Sequence, residues 1–169
     1  MSLHFAPDTP EGALLRDWWL GLAERRGDRA ELRRAATPTD AFIHPAGIGL
    51  IQTLRPAMEG QSHWEARLGA LAGLSSHLNF DHIGEVLRAG SLAERMADKK
   101  GEGPIVSELR FRRLLQRERD TLYHPMIRIL RMLDGRASLF GLANDWFYWG
   151  DQVRRTWALA YFPRLPRSA

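Results

Sequence analysis

Apolar residues in this chain recur at three- and four-residue steps almost from end to end, and strand-like alternation is hard to find. Such a pattern builds helices whose apolar stripes must pack on one another. Thr9-Pro10-Glu11 is a helix start: a hydroxyl cap, a proline in the first turn and an acid beside the positive end of the dipole. This helix carries Leu14, Leu15, Trp18, Trp19 and Leu22 inward and stops at Gly27; Asp28 then caps a short second helix that ends before Thr37-Pro38. Residues 40–58, interrupted by Pro45, Gly47, Gly49 and Pro56, give short helical pieces. Ser62 with Glu65, and Ser91 with Glu94, have capping-box spacing. Ser107 caps a helix into Arg117, and residues 120–134 form the next. Residues 138–162 place Trp146, Trp149 and Trp157 on a core face, with Gly150-Asp151 bending or splitting the run. The expected fold is all-α, a compact bundle of about eight or nine helices forming a single domain over residues 1–169. Residues 99–104, Lys-Lys-Gly-Glu-Gly-Pro, are the clearest break and are expected to be a flexible loop.

Several function classes are excluded at once. The chain has no cysteine, so disulfides, thiol nucleophiles and sulfur-ligated zinc are out. Its opening lacks the basic start and apolar run of a secretory signal, and no apolar stretch reaches membrane-spanning length; a cytoplasmic protein with no membrane contact is expected. His-Glu-x-x-His, Gly-x-x-x-x-Gly-Lys and Gly-x-Ser-x-Gly are absent, Gly47-Ile48-Gly49 follows no strand, and His44, His63 and His124 stand alone. A non-enzymatic protein without metal or cofactor is the expectation.

The charges are more informative. Twenty-four basic residues against twenty acidic leave a net charge of +4, and every base except Lys99 and Lys100 is arginine. The planar guanidinium fork suits phosphate oxygens. Arg110, Arg112, Arg113, Arg117 and Arg119 fall within ten residues, around an arc of Phe111, Leu114 and Leu115 that a helix must bury. Arg110, Arg113 and Arg117 form a stripe on one flank of that arc, and Arg112 and Arg119 lie on the other. Arg128 and Arg131 add a second basic row in the next helix, and Arg29, Arg33 and Arg34 make a smaller cluster interleaved with Asp28 and Glu31. A row of like charges repels itself, a cost offset where phosphates lie along it and release counterions. The alternatives are a solvated face with internal Arg–Glu pairs, or a helical scaffold whose basic face meets an acidic protein partner.

The segments Ser91-Leu-Ala-Glu-Arg-Met-Ala97, Arg110-Phe-Arg-Arg-Leu-Leu115, Arg128-Ile-Leu-Arg131, Asp145-Trp-Phe-Tyr-Trp-Gly150 and Arg154-Arg-Thr-Trp-Ala-Leu-Ala-Tyr161 share an order and spacing, with Ala30-Glu-Leu-Arg-Arg34 before them. In these the chain resembles the CasB family, the small subunit of the type I-E CRISPR surveillance complex Cascade. The resemblance implies an all-helical, non-catalytic subunit, present in two copies, that touches the backbone and large subunits of the complex. It further implies a basic face near the crRNA and the target DNA that helps hold the R-loop, above all the displaced non-target strand. Arg34, Arg110, Arg119 and Arg128 fall where the family shows basic residues; Arg112, Arg113 and Arg117 join them on the helical wheel, and Lys99 and Lys100 occupy a loop of suitable character. Asp151 and Gln152 stand where the family carries more positive charge.

Overall fold

Prolines and hydroxyl caps divide the chain into short helices. In a computed structural model that describes residues 3–166, eleven α-helices are found among those residues. They are α1 (Pro10–Glu24), α2 (Arg26–Arg33), α3 (Pro38–Ile43), α4 (Pro45–Leu54), α5 (Trp64–Ser75), α6 (Ile83–Val86), α7 (Leu92–Ala97), α8 (Glu108–Leu115), α9 (Tyr123–Met132), α10 (Leu139–Phe147) and α11 (Asp151–Tyr161). The all-helical expectation holds, with more cuts than the eight or nine helices expected. Thr9, Thr37, Ser91, Ser107 and Ser138 each accept a backbone N–H from the residue three further on, as N-caps do.

Three boundaries differ from the sequence reading. Ser62 lies one residue too early to cap α5: His63 takes the N-cap position in a left-handed conformation (φ 53°) and makes no side-chain cap. Asp28 falls inside the first turn of α2, because the break comes at Arg25. Residues 99–104 are drawn into a short hairpin: β1 (Lys99–Lys100) pairs antiparallel with β2 (Gly103–Pro104) across Gly101, whose φ of +68° suits glycine. The long tail is split, not bent, since Gly150 separates α10 from α11.

Helix α5 is the centre. Its residues from Leu68 to Ser75 are all buried, and α2, α3, α4, α9 and α10 pack around it. Close approach depends on small residues: a Cβ at Gly73 would lie 2.3 Å from the Tyr123 hydroxyl of α9, and one at Gly69 would lie 2.5 Å from the Phe42 ring of α3. The hairpin does not separate two halves, because α7 on one side of it packs on α11 on the other. Phe111 of α8 stacks on Tyr161 at 3.8 Å, and the Tyr161 hydroxyl donates to Val106 O at 2.6 Å.

The tryptophan stripe is core, as expected: Trp146, Trp149 and Trp157 are buried. Each spends its indole N–H inside the protein, on Arg67 O (2.9 Å), Arg117 O (2.8 Å) and Asp145 Oδ2 (2.8 Å) respectively. No helix among the described residues is long and apolar enough to cross a membrane.

Asp145 has consequences for stability. Burial pushes its carboxyl up to about 6, against the opposing pull of the Trp157 hydrogen bond. The unfolded carboxyl ionises near about 3.9. Between these values the folded chain holds a proton that the unfolded chain has lost, so stability falls as pH rises through that window. Asp145→Asn keeps an acceptor for the indole and buries no charge. In urea unfolding it is expected to exceed the parent by about 2 kcal/mol at pH 8 and to lose that advantage at pH 4.

Candidate nucleic-acid interface

Helix α8 is anchored by buried Phe111 and Leu114, which leaves Arg110 and Arg113, one turn apart, on its exposed side. The helix stops at Leu115, short of the expected Arg117. Its C-terminal carbonyls are satisfied from α11: Arg154 donates from Nε to Leu115 O at 2.8 Å and from Nη2 to Arg117 O at 2.7 Å. With Trp149 donating to the same Arg117 oxygen, Arg117 is fixed in line with the helix although it lies outside it.

Helix α9 faces α8 and presents Arg128 and Arg131. Between them runs a cleft of about 480 Å³ walled by Arg110, Arg113, Arg117, Arg128 and Arg131 over a floor that includes Leu114, Ile129 and Met132. No carboxylate lines it. All five arginines are exposed, and among the described residues none has an acid within 4.0 Å. Among the described residues only Arg110 of the five makes a side-chain hydrogen bond, a donation to Met132 Sδ at 3.4 Å. Two nearby acids are engaged elsewhere, Glu108 with Arg112 at 3.0 Å and Glu118 with Arg154 at 3.4 Å, while Asp120 lies with Glu118 in an adjoining cleft that Arg113 and Arg117 also line. Concentrated positive charge in a concave, partly apolar setting focuses an attractive field for polyanions.

The remaining expected residues are distributed differently. Arg112 lies on the other flank, paired with Glu108 and placed over the Phe162 ring at 5.2 Å. Arg119 does not continue that flank. It lies in a 3-10 turn, half-buried, and donates to Trp146 O (2.6 Å), Phe147 O (2.9 Å) and Trp149 O (3.4 Å), closing the C-terminal end of α10. Burial, with Arg67 nearby, brings its pKa down to about 10. Lys99 and Lys100 are exposed on the hairpin and line none of the arginine clefts. Arg34 stands across α9, in a neighbouring cleft with Arg33, Arg128 and Arg131. The structure thus gathers Arg110, Arg113, Arg117 and Arg128 and adds Arg131, whose three-residue spacing from Arg128 was the signal for it.

Two histidines lie close to these groups, His77 beside Arg33 and Arg131 and His44 beside Asp28 and Glu31. His77 is buried, and desolvation, then Arg131 and Arg33, hold it down to about 4, so it is neutral near pH 7. Asp28, Glu31 and His44 bring their polar atoms within 4.8 Å of one another. However, His44 Nδ1 accepts the Ala46 N–H, which leaves the proton on Nε2 to donate to Glu31 at 2.5 Å. The imidazole has no lone pair to spare.

The family profile of the CRISPR-associated protein Cse2 matches residues 28–162. The chain belongs to that family. The fold is similar to that in the crystal structure of CasB from Thermus thermophilus, with a TM-score of 0.66 and 21% identity over 92% of this chain and 99% of that one. No curated protein matches the sequence.

The two kinds of arginine separate by experiment. Arg119→Ala removes three charged donations to carbonyls at and just after the end of α10 and is expected to cost about 2–3 kcal/mol in urea unfolding. Arg113→Ala, which has no partner to lose, should change stability by no more than about 0.5 kcal/mol.

Proposed function

We propose that this chain is the small, non-catalytic subunit of a type I-E Cascade complex, and that its arginine cleft grips nucleic acid without sequence specificity to stabilise the R-loop. Family membership supplies the setting, and one observation carries the role: five exposed arginines from α8, α9 and the segment after α8 face one cleft that contains no acid. Phosphates satisfy such a set, because each contact pairs a guanidinium with an oxyanion and releases a condensed counterion.

The gain needed is small. Unpairing DNA costs about 1.4 kcal/mol per step, and the guide–target duplex returns a similar amount, so a few phosphate contacts tip the exchange. The displaced non-target strand is the ligand that fits best, since its backbone lies free. Arginine forks on a flexible strand need no reading of base edges. The crRNA, the target strand, the backbone and large subunits and a second copy of this chain complete the proposed surroundings.

Anisotropy with labelled oligothymidine at several salt concentrations tests the reading. The parent should lose affinity steeply with salt. Arg110→Glu with Arg113→Glu should weaken binding about tenfold or more and reduce the salt slope by about 1.4, two contacts at about 0.7 each. The same variant in the assembled complex should shorten R-loop lifetime with its melting temperature unchanged. A flat salt response of the parent would overturn the proposal.

A further inference from the structure

We propose that the phosphate track does not end in the α8–α9 cleft but crosses α9 and continues to the C-terminal end of α2, so that Arg33 and Arg34 hold the same strand as Arg110 and Arg113. This rests on the nucleic-acid reading above and extends it to Arg33, whose sequence setting argues against it, and to one continuous path that includes Arg34.

In sequence, Arg33 and Arg34 are interleaved with Asp28 and Glu31, which reads as a neutralised helix face. The fold removes both acids. Asp28 turns to Arg25 at 3.9 Å, and Glu31 turns to His44. Arg29 is also withdrawn, lying over the Phe80 ring at 4.5 Å. What remains at the end of α2 is a pair of exposed arginines with no carboxylate partner among the described residues.

These two face α9 across a cleft of about 350 Å³, whose opposite wall carries His124, Arg128 and Arg131 and which contains no acid. Arg128 and Arg131 therefore line both this cleft and the one shared with α8. A backbone lying in one cleft passes directly into the other over those two guanidinium groups. Arg33 is held for this by its own Nε, which donates to Ser76 O at 2.8 Å and leaves the terminal nitrogens free. Burial, with repulsion from Arg29 and Arg131, lowers its pKa, a penalty that a bound phosphate relieves. On their other side Arg33, Arg34 and Arg131 also line a cleft that contains Asp81 and Asp134, and the track stops at those acids.

The experiment uses the full chain and an oligothymidine length series. The parent, Arg33→Ala/Arg34→Ala and Arg110→Ala/Arg113→Ala are titrated at several salt concentrations, with stoichiometry measured at saturation. One strand crossing both clefts gives one oligomer per protein. It also gives a salt slope lowered by about 1.4 in each double variant, and an affinity that stops rising at a shorter length in the α2 variant than in the parent. Arg34→Glu, which disturbs no internal bond, should reproduce the α2 result if loss of the Ser76 contact unfolds the first variant. Two short strands bound per protein, one lost with each double variant, would make the clefts separate sites and end the single path. An unchanged slope and length dependence in both α2 variants, with loss in the α8 variant, would sink this inference and leave the proposed function standing. No change in any variant would sink both.

Discussion

A guanidinium group has five N–H donors, no acceptor, and no means of shedding its charge at physiological pH, so it must find oxygen somewhere. A fold of short helices offers a supply, because every helix ends in carbonyls without an internal partner. Arg119 closes the end of α10, Arg154 closes the end of α8, Arg67 donates to Phe147 O, and Arg95 donates to Arg136 O. These inward arginines tie together helices distant in sequence. The proposed interface consists of those left over, which have no carboxylate or carbonyl partner among the described residues.

The two populations depend on each other. Arg154 and Trp149 pin the carbonyl of Arg117 and so set the rim of the α8–α9 cleft. At the far side, Gly135 locks the turn after α9: its φ is +65°, and a Cβ there would lie 2.5 Å from His77 O. Asn79 holds that turn from the other side, with its N–H on Gly135 O and its amide on Asp134 O. The walls stand in place before any ligand arrives, which spares binding the cost of ordering a loop.

What could be read from sequence was local. Thr9, Ser91 and Ser107 act as caps because a hydroxyl and an N–H three residues on are enough to form one. Arg110, Arg113 and Arg128 emerge from helical geometry, since buried neighbours dictate which way they point. Arg119 was not legible, because its partners are carbonyls 27 to 30 residues away. The same holds for Arg33, whose apparent neutralisation by Asp28 and Glu31 disappears only when Arg25 and His44 claim those acids; Arg34 was singled out by the family resemblance alone. Ser62 failed for another reason: a left-handed His63 shifted the register of the cap by one residue.

Five indole N–H groups are spent on internal oxygens, and no phenylalanine, tyrosine or tryptophan lines either arginine cleft among the described residues. The one ring among the described residues that a strand held there would meet is His124, in the second cleft. In the proposed role the arginines hold only the repeating phosphates, so a bound polymer would be free to creep lengthwise without losing its hold, much as a rope runs through a fairlead.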